Sequence, residues 1–150
     1  MNRFIIQETE FLKARNKIRE ARKQKKGEII FTSKDDELNR KILEKEKIDI
    51  LLLSLSGRKD FQKQRNSGFN QVLAKLAQKN NVSIGISLDE ILSVEKKEKA
   101  EILARVRQNI KLCSKNKLKM VFVSGKKTDK YNLKSLGLVL GMPTWMTKGL

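Results

Sequence analysis

The sequence contains no histidine among its 150 residues, and this absence excludes much of enzyme chemistry. Histidine is the commonest general base, the usual partner of a nucleophilic serine or cysteine, and a common zinc ligand. Oxygen ligands alone could still hold a hard cation for a metal-dependent nuclease. The candidate carboxylates are scattered, and most suit a helix cap or the surface: Asp35, Asp36, Asp49, Asp60, Asp89, Glu90 and Asp129. We therefore expect neither a catalytic nor a metal site in this chain.

Cysteine, long apolar runs and aromatic residues are also scarce. The single Cys113 excludes an internal disulfide, suits a reducing cytoplasm, and is expected to be an inert core thiol. No apolar run approaches the ~20 residues of a membrane-spanning helix, and the start lacks a signal-peptide pattern, so we expect no membrane partner. With one Tyr, one Trp and six Phe, mostly at core-like positions, we expect no aromatic platform for stacking single-stranded bases.

Positive charge is what the sequence has in excess. There are 34 Lys and Arg residues against 17 Asp and Glu residues, which gives a formal net charge of +17. Such an excess costs self-repulsion in a folded monomer, so it favours a polyanionic partner over a simple gain in solubility. The composition predicts a basic scaffold that binds folded RNA by contacting the RNA phosphates and recognising the shape of the RNA.

The chain is organised around a strand–helix–strand unit. Ile48–Leu55 is almost continuously apolar, as is typical of a strand covered on both faces. Ser67 is expected to cap a helix in which Phe69, Val72, Leu73 and Leu76 share one buried face, and Val82–Ser87 is the second strand. Such a unit makes its two strands parallel.

Strand and helix patterns alternate along the remaining sequence. Strands are expected near residues 3, 28 and 119, and helices over 35–47, 96–115 and 131–140, with an irregular tail from Met142. This alternation predicts a single α/β domain over residues 1–150 with a parallel sheet of about five strands. A complete eight-stranded barrel typically needs ~250 residues, so a barrel here would be reduced or incomplete.

Two basic regions are candidate RNA-binding surfaces. Ligands of parallel α/β folds usually bind at the carboxyl ends of the strands, where the loop Ser56–Asp60 carries Arg58 and Lys59, with Asp60 expected to hold Arg58 in place. We expect a patch on the shared scaffold that contains Arg40, Arg58, Lys59, Arg65, Arg105, Arg107, Lys126 and Lys127. Arg105 and Arg107 are placed on the two flanks of the buried stripe of their helix.

The second region is a basic helix over about residues 8–26. Its narrow apolar stripe is Phe11, Ala14, Ile18 and Ala21. The cations that surround the stripe could bind RNA phosphates independently of the first region. Among them are Arg15, Arg19, Arg22 and Lys26. This helix could instead face an acidic protein partner, or only water.

The run from about Glu28 onward resembles a known family, the archaeal ribonuclease P protein component three, which is the family of the eukaryotic RNase P/MRP thirty-kilodalton subunit. The matching pieces occur in family order: D-E-L-N-R (36–40), I-D-I-L (48–51), G-R-K-D (57–60), S-G-F-N-Q-V-L-A-K-L-A (67–77), N-N-V-S-I (80–84), R-V-R-Q-N-I-K-L (105–112), V-S-G (123–125) and L-G-L-V-L-G-M (136–142). They cover roughly three-quarters of the chain.

The resemblance implies a TIM-barrel-like α/β fold of the PHP type, reduced here, and membership of the ribonucleoprotein that removes 5′ leaders from precursor tRNA. In that particle the RNA cleaves with bound Mg²⁺, and the proteins assist it without a cofactor of their own. It also implies precursor tRNA as an indirect partner and a second protein subunit, of the RNA-recognition-motif type, as a direct one.

This sequence departs from the family in three places. The opening of the barrel, about two strand–helix units, is expected to be missing or replaced by the basic helix. Gln71 stands where many relatives carry His, and Gly85 stands where an acidic residue is common. The alternatives are a stand-alone metal-dependent nuclease or phosphoesterase on a reduced barrel, and an RNA chaperone or ribosome-associated protein.

Overall fold

In the computed structural model, which describes residues 2–25 and 27–150, strands and helices alternate along the chain. The strands are β1 (Arg3–Gln7), β2 (Glu28–Ser33), β3 (Ile50–Leu53), β4 (Ser83–Ser87) and β5 (Met120–Val123). The helices are α1 (Phe11–Lys23), α2 (Asp36–Lys45), α3 (Gln71–Lys79), α4 (Leu88–Leu92), α5 (Lys96–Lys115), α6 (Lys130–Leu140) and α7 (Thr144–Thr147).

The strands form one parallel sheet in the order β1-β2-β3-β4-β5, which is also their order in the chain. Because crossovers between parallel strands are right-handed, sequential order places every crossover helix on the same face of the sheet. The main apolar cluster lies on that face and joins strand and helix residues, whereas a smaller cluster on the other face contains strand residues only. This is the arrangement of a β/α barrel with fewer strands, and the predicted fold class is confirmed.

The sheet is strongly curled. Arg3 Nη1 on β1 donates to the Phe122 carbonyl oxygen on β5 at 3.0 Å. In a flat sheet these two edge strands would lie ~19 Å apart, at about 4.8 Å per strand, which is beyond the reach of an arginine side chain. The contact also occupies a backbone acceptor on an otherwise unpaired sheet edge.

The inside of the curl is filled with apolar side chains. Ile30, Ile50 and Val123 are buried there against one another. A Cβ at Gly85 would lie only 3.0 Å from Ile50 Cγ2 and 3.3 Å from Val123 Cγ2, so the glycine makes room for its neighbours. An acidic side chain at this position would collide with that packing.

The basic helix is part of the scaffold. α1 is the crossover between β1 and β2, and its predicted stripe of Ala14, Ile18 and Ala21 is buried. It is therefore an ordinary β/α unit of the sheet. Lys26, which was grouped with this helix, lies outside the described residues.

The start of α3 differs from its prediction. Ser67 is buried and donates through its Oγ to the Phe69 carbonyl, and the cap is Asn70, whose Oδ1 accepts from the Leu73 backbone N–H at 3.0 Å. The chain stays irregular through Gly68, which has a positive φ of 70°, so the helix begins later. Only part of the predicted buried face is therefore buried: Leu73 is 5% exposed, whereas Val72, predicted to lie beside it in the core, is 54% exposed.

Two expectations at the carboxyl-terminal end meet different outcomes. α6 ends at Leu140 as predicted, and Gly141, with φ of 107°, follows it as the cap. The tail is not irregular throughout, because Thr144–Thr147 forms one helical turn.

In α5, Cys113 is buried, and burial raises the pKa of its thiol to about 12. This confirms the prediction of an inert core thiol.

The face of α3 that is buried can be tested with two neighbouring residues. We expect Leu73→Ala to lower the free energy of unfolding by about 2–5 kcal/mol because it leaves a cavity in the core. Val72→Ala, the matched control, should change it by less than about 0.5 kcal/mol. Denaturant unfolding measures both, and equal effects of the two substitutions would contradict the assignment of the face.

Candidate nucleic-acid interface

An irregular segment links β3 to α3 and runs from residue 54 to residue 70. Loops of this length without secondary structure are uncommon in compact domains and are usually functional. The segment lies at the carboxyl-end edge of the sheet, where parallel α/β folds bind ligands. We call it the β3–α3 loop.

Arg58 ties this loop to α2. Its guanidinium donates to both carboxylate oxygens of Asp36 at 2.9 Å, to Asn66 Oδ1 at 3.2 Å, and through Nε to the Ser54 carbonyl at 2.6 Å. The side chain is only 10% exposed. Gly68 lets the guanidinium pass, since a Cβ there would lie 2.5 Å from Arg58 Nη2. The prediction that Asp60 holds Arg58 in place is wrong, because the carboxylate that Arg58 contacts is Asp36. Through these contacts Arg58 positions the loop.

Arg105 ties the same loop to α5. It is 2% exposed, and it donates to the carbonyl oxygens of Leu55 (2.9 Å) and Arg58 (2.7 Å) and to Asp60 Oδ1 (3.1 Å). The sequence placed Arg105 on the flank of the helix as an RNA ligand. The buried guanidinium has its donors satisfied inside the protein, so its role is structural.

The tip of the loop is closed by one carboxylate. Asp60 accepts from the Asn66 backbone N–H at 2.9 Å and from Arg65 Nη1 at 3.1 Å, in addition to Arg105. The Gln108 side chain of α5 also bonds both backbone groups of Arg65. Residues 59–65, which include Asp60 and Arg65, are exposed to solvent, and we call this segment the loop tip.

A second loop at this edge is held in the same way. After β5, Asp89 of α4 accepts from Ser124 Oγ at 2.9 Å and from the Gly125 N–H at 2.8 Å. The Gly125 N–H, and then the Ser124 hydroxyl, hold the pKa of Asp89 below its usual value. Lys126 and Lys127 follow directly and are exposed.

The seven carboxylates that could have formed a metal site all have structural partners. Asp35 and Asp129 cap helices, with Asp35 as predicted. Asp49 accepts from the Ile29 N–H, and Glu90 accepts from the Leu55 N–H. Asp36, Asp60 and Asp89 hold the two loops described above. Within residues 2–25 and 27–150 no group of three or more His, Cys, Asp or Glu residues is placed to hold a metal ion.

Several cations of α1 are paired within the chain. Arg19 contacts Glu46, Arg22 contacts Asp49 at 3.6 Å, and Lys17 contacts Glu8 at 2.7 Å. Arg15 is half-buried and lies 6.0 Å from the centre of the Phe11 ring. These partners leave α1 with fewer free cations than the sequence suggested, and its binding of RNA stays a prediction.

The predicted patch is divided by the structure. Arg40 pairs with Glu44 on α2 and lines a groove with the loop tip, where Arg65 pairs with Asp60. Arg107 is exposed on α5 and, among the described residues, bonds to neither loop. The exposed lysines on these two loops without an ion-pair partner in the described part of the chain are Lys59, Lys63, Lys126 and Lys127.

Sequence reasoning missed two residues of the loop tip. Lys63 was not among the expected ligands, and Phe61, one of the aromatic residues expected mostly at core-like positions, is 59% exposed. The charged residues around Phe61 were the signal, since a phenylalanine within the run K-D-F-Q-K has no apolar neighbour along the chain.

These observations define a class of protein: a reduced, parallel β/α barrel with an ordered, basic edge at the carboxyl ends of its strands. The family model described as RNase P subunit p30 matches residues 2–147. The chain belongs to that family, which confirms the resemblance.

Curated relatives support the assignment. The chain is 29% identical over 126 residues to ribonuclease P protein component 3 of Methanococcus maripaludis strain C7, covering 83% of this chain and 51% of the relative. It is 34% identical over 98 residues to the same component of Methanocaldococcus jannaschii, covering 65% and 39%. The chain spans about half the length of the first of these relatives.

A solved structure supports the fold. A chain in the cryo-EM structure of archaeal ribonuclease P with mature tRNA matches with a TM-score of 0.77 at 24% identity, covering 97% of this chain and 62% of that chain. In the described residues, none of the helices has the length and apolar character that crossing a bilayer requires.

The tie made by Arg105 can be tested against its exposed neighbour on α5. We expect Arg105→Met to destabilise the protein, since the buried Leu55 carbonyl alone loses a donor worth about 1–3 kcal/mol. Amide hydrogen exchange should also speed up across the β3–α3 loop. Arg107→Met should change neither measurement. Unchanged exchange in the Arg105 variant would contradict the tie.

Closure of the loop tip should depend on acid. The Asn66 N–H, and then Arg105, hold the pKa of Asp60 below its usual value of 3.8. The folded state therefore binds the proton less readily than the unfolded state, so the closure is fully present above pH 3.8 and is lost as pH falls through the lowered pKa.

An NMR titration of the Asn66 amide measures this closure. The resonance should shift only below pH 3.8, and Asp60→Asn should abolish the step. A midpoint at or above 3.8 would contradict the contacts of this carboxylate.

Proposed function

We propose that this chain is an RNA-binding accessory subunit of ribonuclease P. In this role it supports removal of the 5′ leader from precursor tRNA, while the RNA subunit, with its own Mg²⁺, performs the cleavage. Membership of the RNase P subunit p30 family supports this function. The observation that carries it is the set of unpaired lysines on two ordered loops at one edge of the sheet, in a chain of net charge +17.

The two loops suit contacts with an RNA backbone. They follow β3 and β5, and the carboxyl ends of parallel strands lie at one edge of the sheet. Each loop is fixed by a carboxylate, Asp60 or Asp89, that is already occupied by donors of this chain. The lysines beside these carboxylates are therefore free to meet phosphates, and each such contact releases condensed counterions.

A second protein subunit and precursor tRNA complete the proposed set of partners. The final helices expose apolar side chains that could contact a protein of the RNA-recognition-motif type: Tyr131, Leu138, Val139 and Trp145. Precursor tRNA would be met within the assembled particle. We place this work in the cytoplasm, where a protein with a single cysteine keeps a free thiol.

Reconstitution separates this function from that of a stand-alone nuclease. Precursor tRNA is incubated with the protein alone, with the RNA and the other protein subunits, and with the complete mixture. An accessory subunit gives no cleavage alone and raises the rate of the complete mixture. Cleavage by the purified protein without RNA, or a rate that does not depend on adding it, would contradict the proposal.

The lysines at the carboxyl-end edge can be compared with lysines at the opposite end of the sheet. The test variant changes Lys59, Lys63, Lys126 and Lys127 to Gln. The control makes the same change at exposed lysines that flank the amino ends of β4 and β5: Lys79, Lys115, Lys117 and Lys119. Both variants lose the same charge.

We expect the test variant to flatten the slope of log K against log salt for the ribonuclease P RNA by up to about three units, at ~0.7–0.9 per phosphate contact. The control should keep nearly the wild-type slope. Equal slopes in the two variants would show that the charge acts through its total amount and not through this edge.

A further inference from the structure

Phe61 is a large apolar side chain held in water by an ordered backbone. Its 59% exposure is not the result of a free loop, since the residue before it is Asp60, which is bonded to Arg65, Asn66 and Arg105. Leaving a phenylalanine exposed forgoes the stabilisation of its burial, so an exposed ring in a fixed position calls for a partner.

The surroundings of Phe61 are cationic and polar. Lys59 and Lys63 flank it along the chain, and neither has an ion-pair partner among the described residues. The acid within the loop tip, Asp60, is occupied by its own donors. A groove beside the ring is lined by Arg40, Gln64 and Val72, and also by two acids, Glu37 and Asp36, of which Asp36 is paired with Arg58.

We propose that the Phe61 ring stacks on an unpaired base of the RNA. Lys59 and Lys63 then contact the phosphates on either side, and the Gln64 amide faces the edge of the base. This inference rests on the proposed function and adds the class of nucleotide that the loop tip takes. An aromatic face beside free cations is the arrangement with which proteins bind single-stranded segments.

A nucleotide fits this surface better than a protein does. A protein partner would have to supply an acid for each of the two lysines that flank the ring, in addition to an apolar group for the ring itself. A nucleotide supplies the aromatic face and the negative charge in one unit. The bond between Asp60 and Arg105 fixes the residue next to Phe61 before binding, which lowers the entropy cost of ordering the loop tip.

Phe61→Leu and Phe61→Trp separate stacking from general apolar contact. Leu keeps an apolar side chain without an aromatic face, whereas Trp keeps and enlarges that face. The probes are the ribonuclease P RNA from the same cell and a blunt-ended RNA duplex, whose bases are paired throughout. Exposed Leu92, changed to Ala, is the control for lost apolar surface.

We expect Phe61→Leu to weaken binding of the ribonuclease P RNA by about 5- to 150-fold, which corresponds to the loss of one stacked base at about 1–3 kcal/mol. Phe61→Trp should bind like the wild type, and neither variant should change affinity for the duplex. Wild-type affinity in the Leu variant, or equal losses for both RNAs, would overturn the inference.

Fluorescence gives a second readout that does not depend on affinity. In a Trp145→Phe background, Phe61→Trp carries the chain's single tryptophan. Its emission should be quenched by the ribonuclease P RNA and not by the duplex, and an unquenched tryptophan at saturation would overturn stacking. Quenching by an added protein subunit instead would assign the ring to a protein interface.

The outcomes also separate this inference from the proposed function. If the wild-type protein binds the ribonuclease P RNA and the Leu variant matches it, only the stacking fails. If the wild-type protein itself does not bind that RNA, the accessory function fails and the role of Phe61 falls with it.

Discussion

The buried guanidinium of Arg105 joins the scaffold to its candidate interface. It extends from the core side of α5 to two carbonyl oxygens and one carboxylate of the β3–α3 loop, and it is 2% exposed. A buried charge is costly unless its donors are satisfied, so this one constrains every group that it contacts. Arg58 adds a second tie, to Asp36 of α2. The irregular loop is thereby fixed from two neighbouring helices, and its tip can present side chains without support from a strand or helix.

The reduced sheet explains why the candidate site lies in loops. Arg3 bridges to β5, and the curl encloses only Ile30, Ile50 and Val123 with their partly buried neighbours. Polar groups inside this space would lack water and partners. The polar groups collect at the carboxyl-end edge, where Asp36, Asp60, Asp89 and Glu90 hold backbone and arginine donors. Because those carboxylates bind donors of the chain itself, Lys59, Lys63, Lys126 and Lys127 form no ion pair with them, and their ammonium groups are available to an anion.

Most of the fold could be predicted from periodicity, whereas the site could be predicted only in its location. The alternation of apolar strands with amphipathic helices identified five parallel strands, and the bounds of α5 and the Asp35 cap are confirmed. The loop follows no period, and its bonds join residues far apart in the chain: Arg58 and Asp36 are separated by 22 positions, and Arg105 and Leu55 by 50. Residue type therefore favoured Arg58 and Arg105 as surface ligands and gave no reason to single out Phe61. Ser67 has a side chain suited to cap a helix, but the chain is irregular at Gly68, so Asn70 is the cap and α3 begins at Gln71.

The central claim is that the anchored loop tip, residues 59–65, faces RNA in the assembled particle. Photo-crosslinking tests it directly, with p-benzoylphenylalanine placed at exposed Gln62 in the reconstituted ribonucleoprotein and, as a matched control, at exposed Gln78 near the opposite end of the sheet. The account predicts that position 62 crosslinks to the RNA at one or a few adjacent nucleotides and that position 78 does not. Crosslinks from position 62 to a protein subunit, with none to RNA, would contradict it.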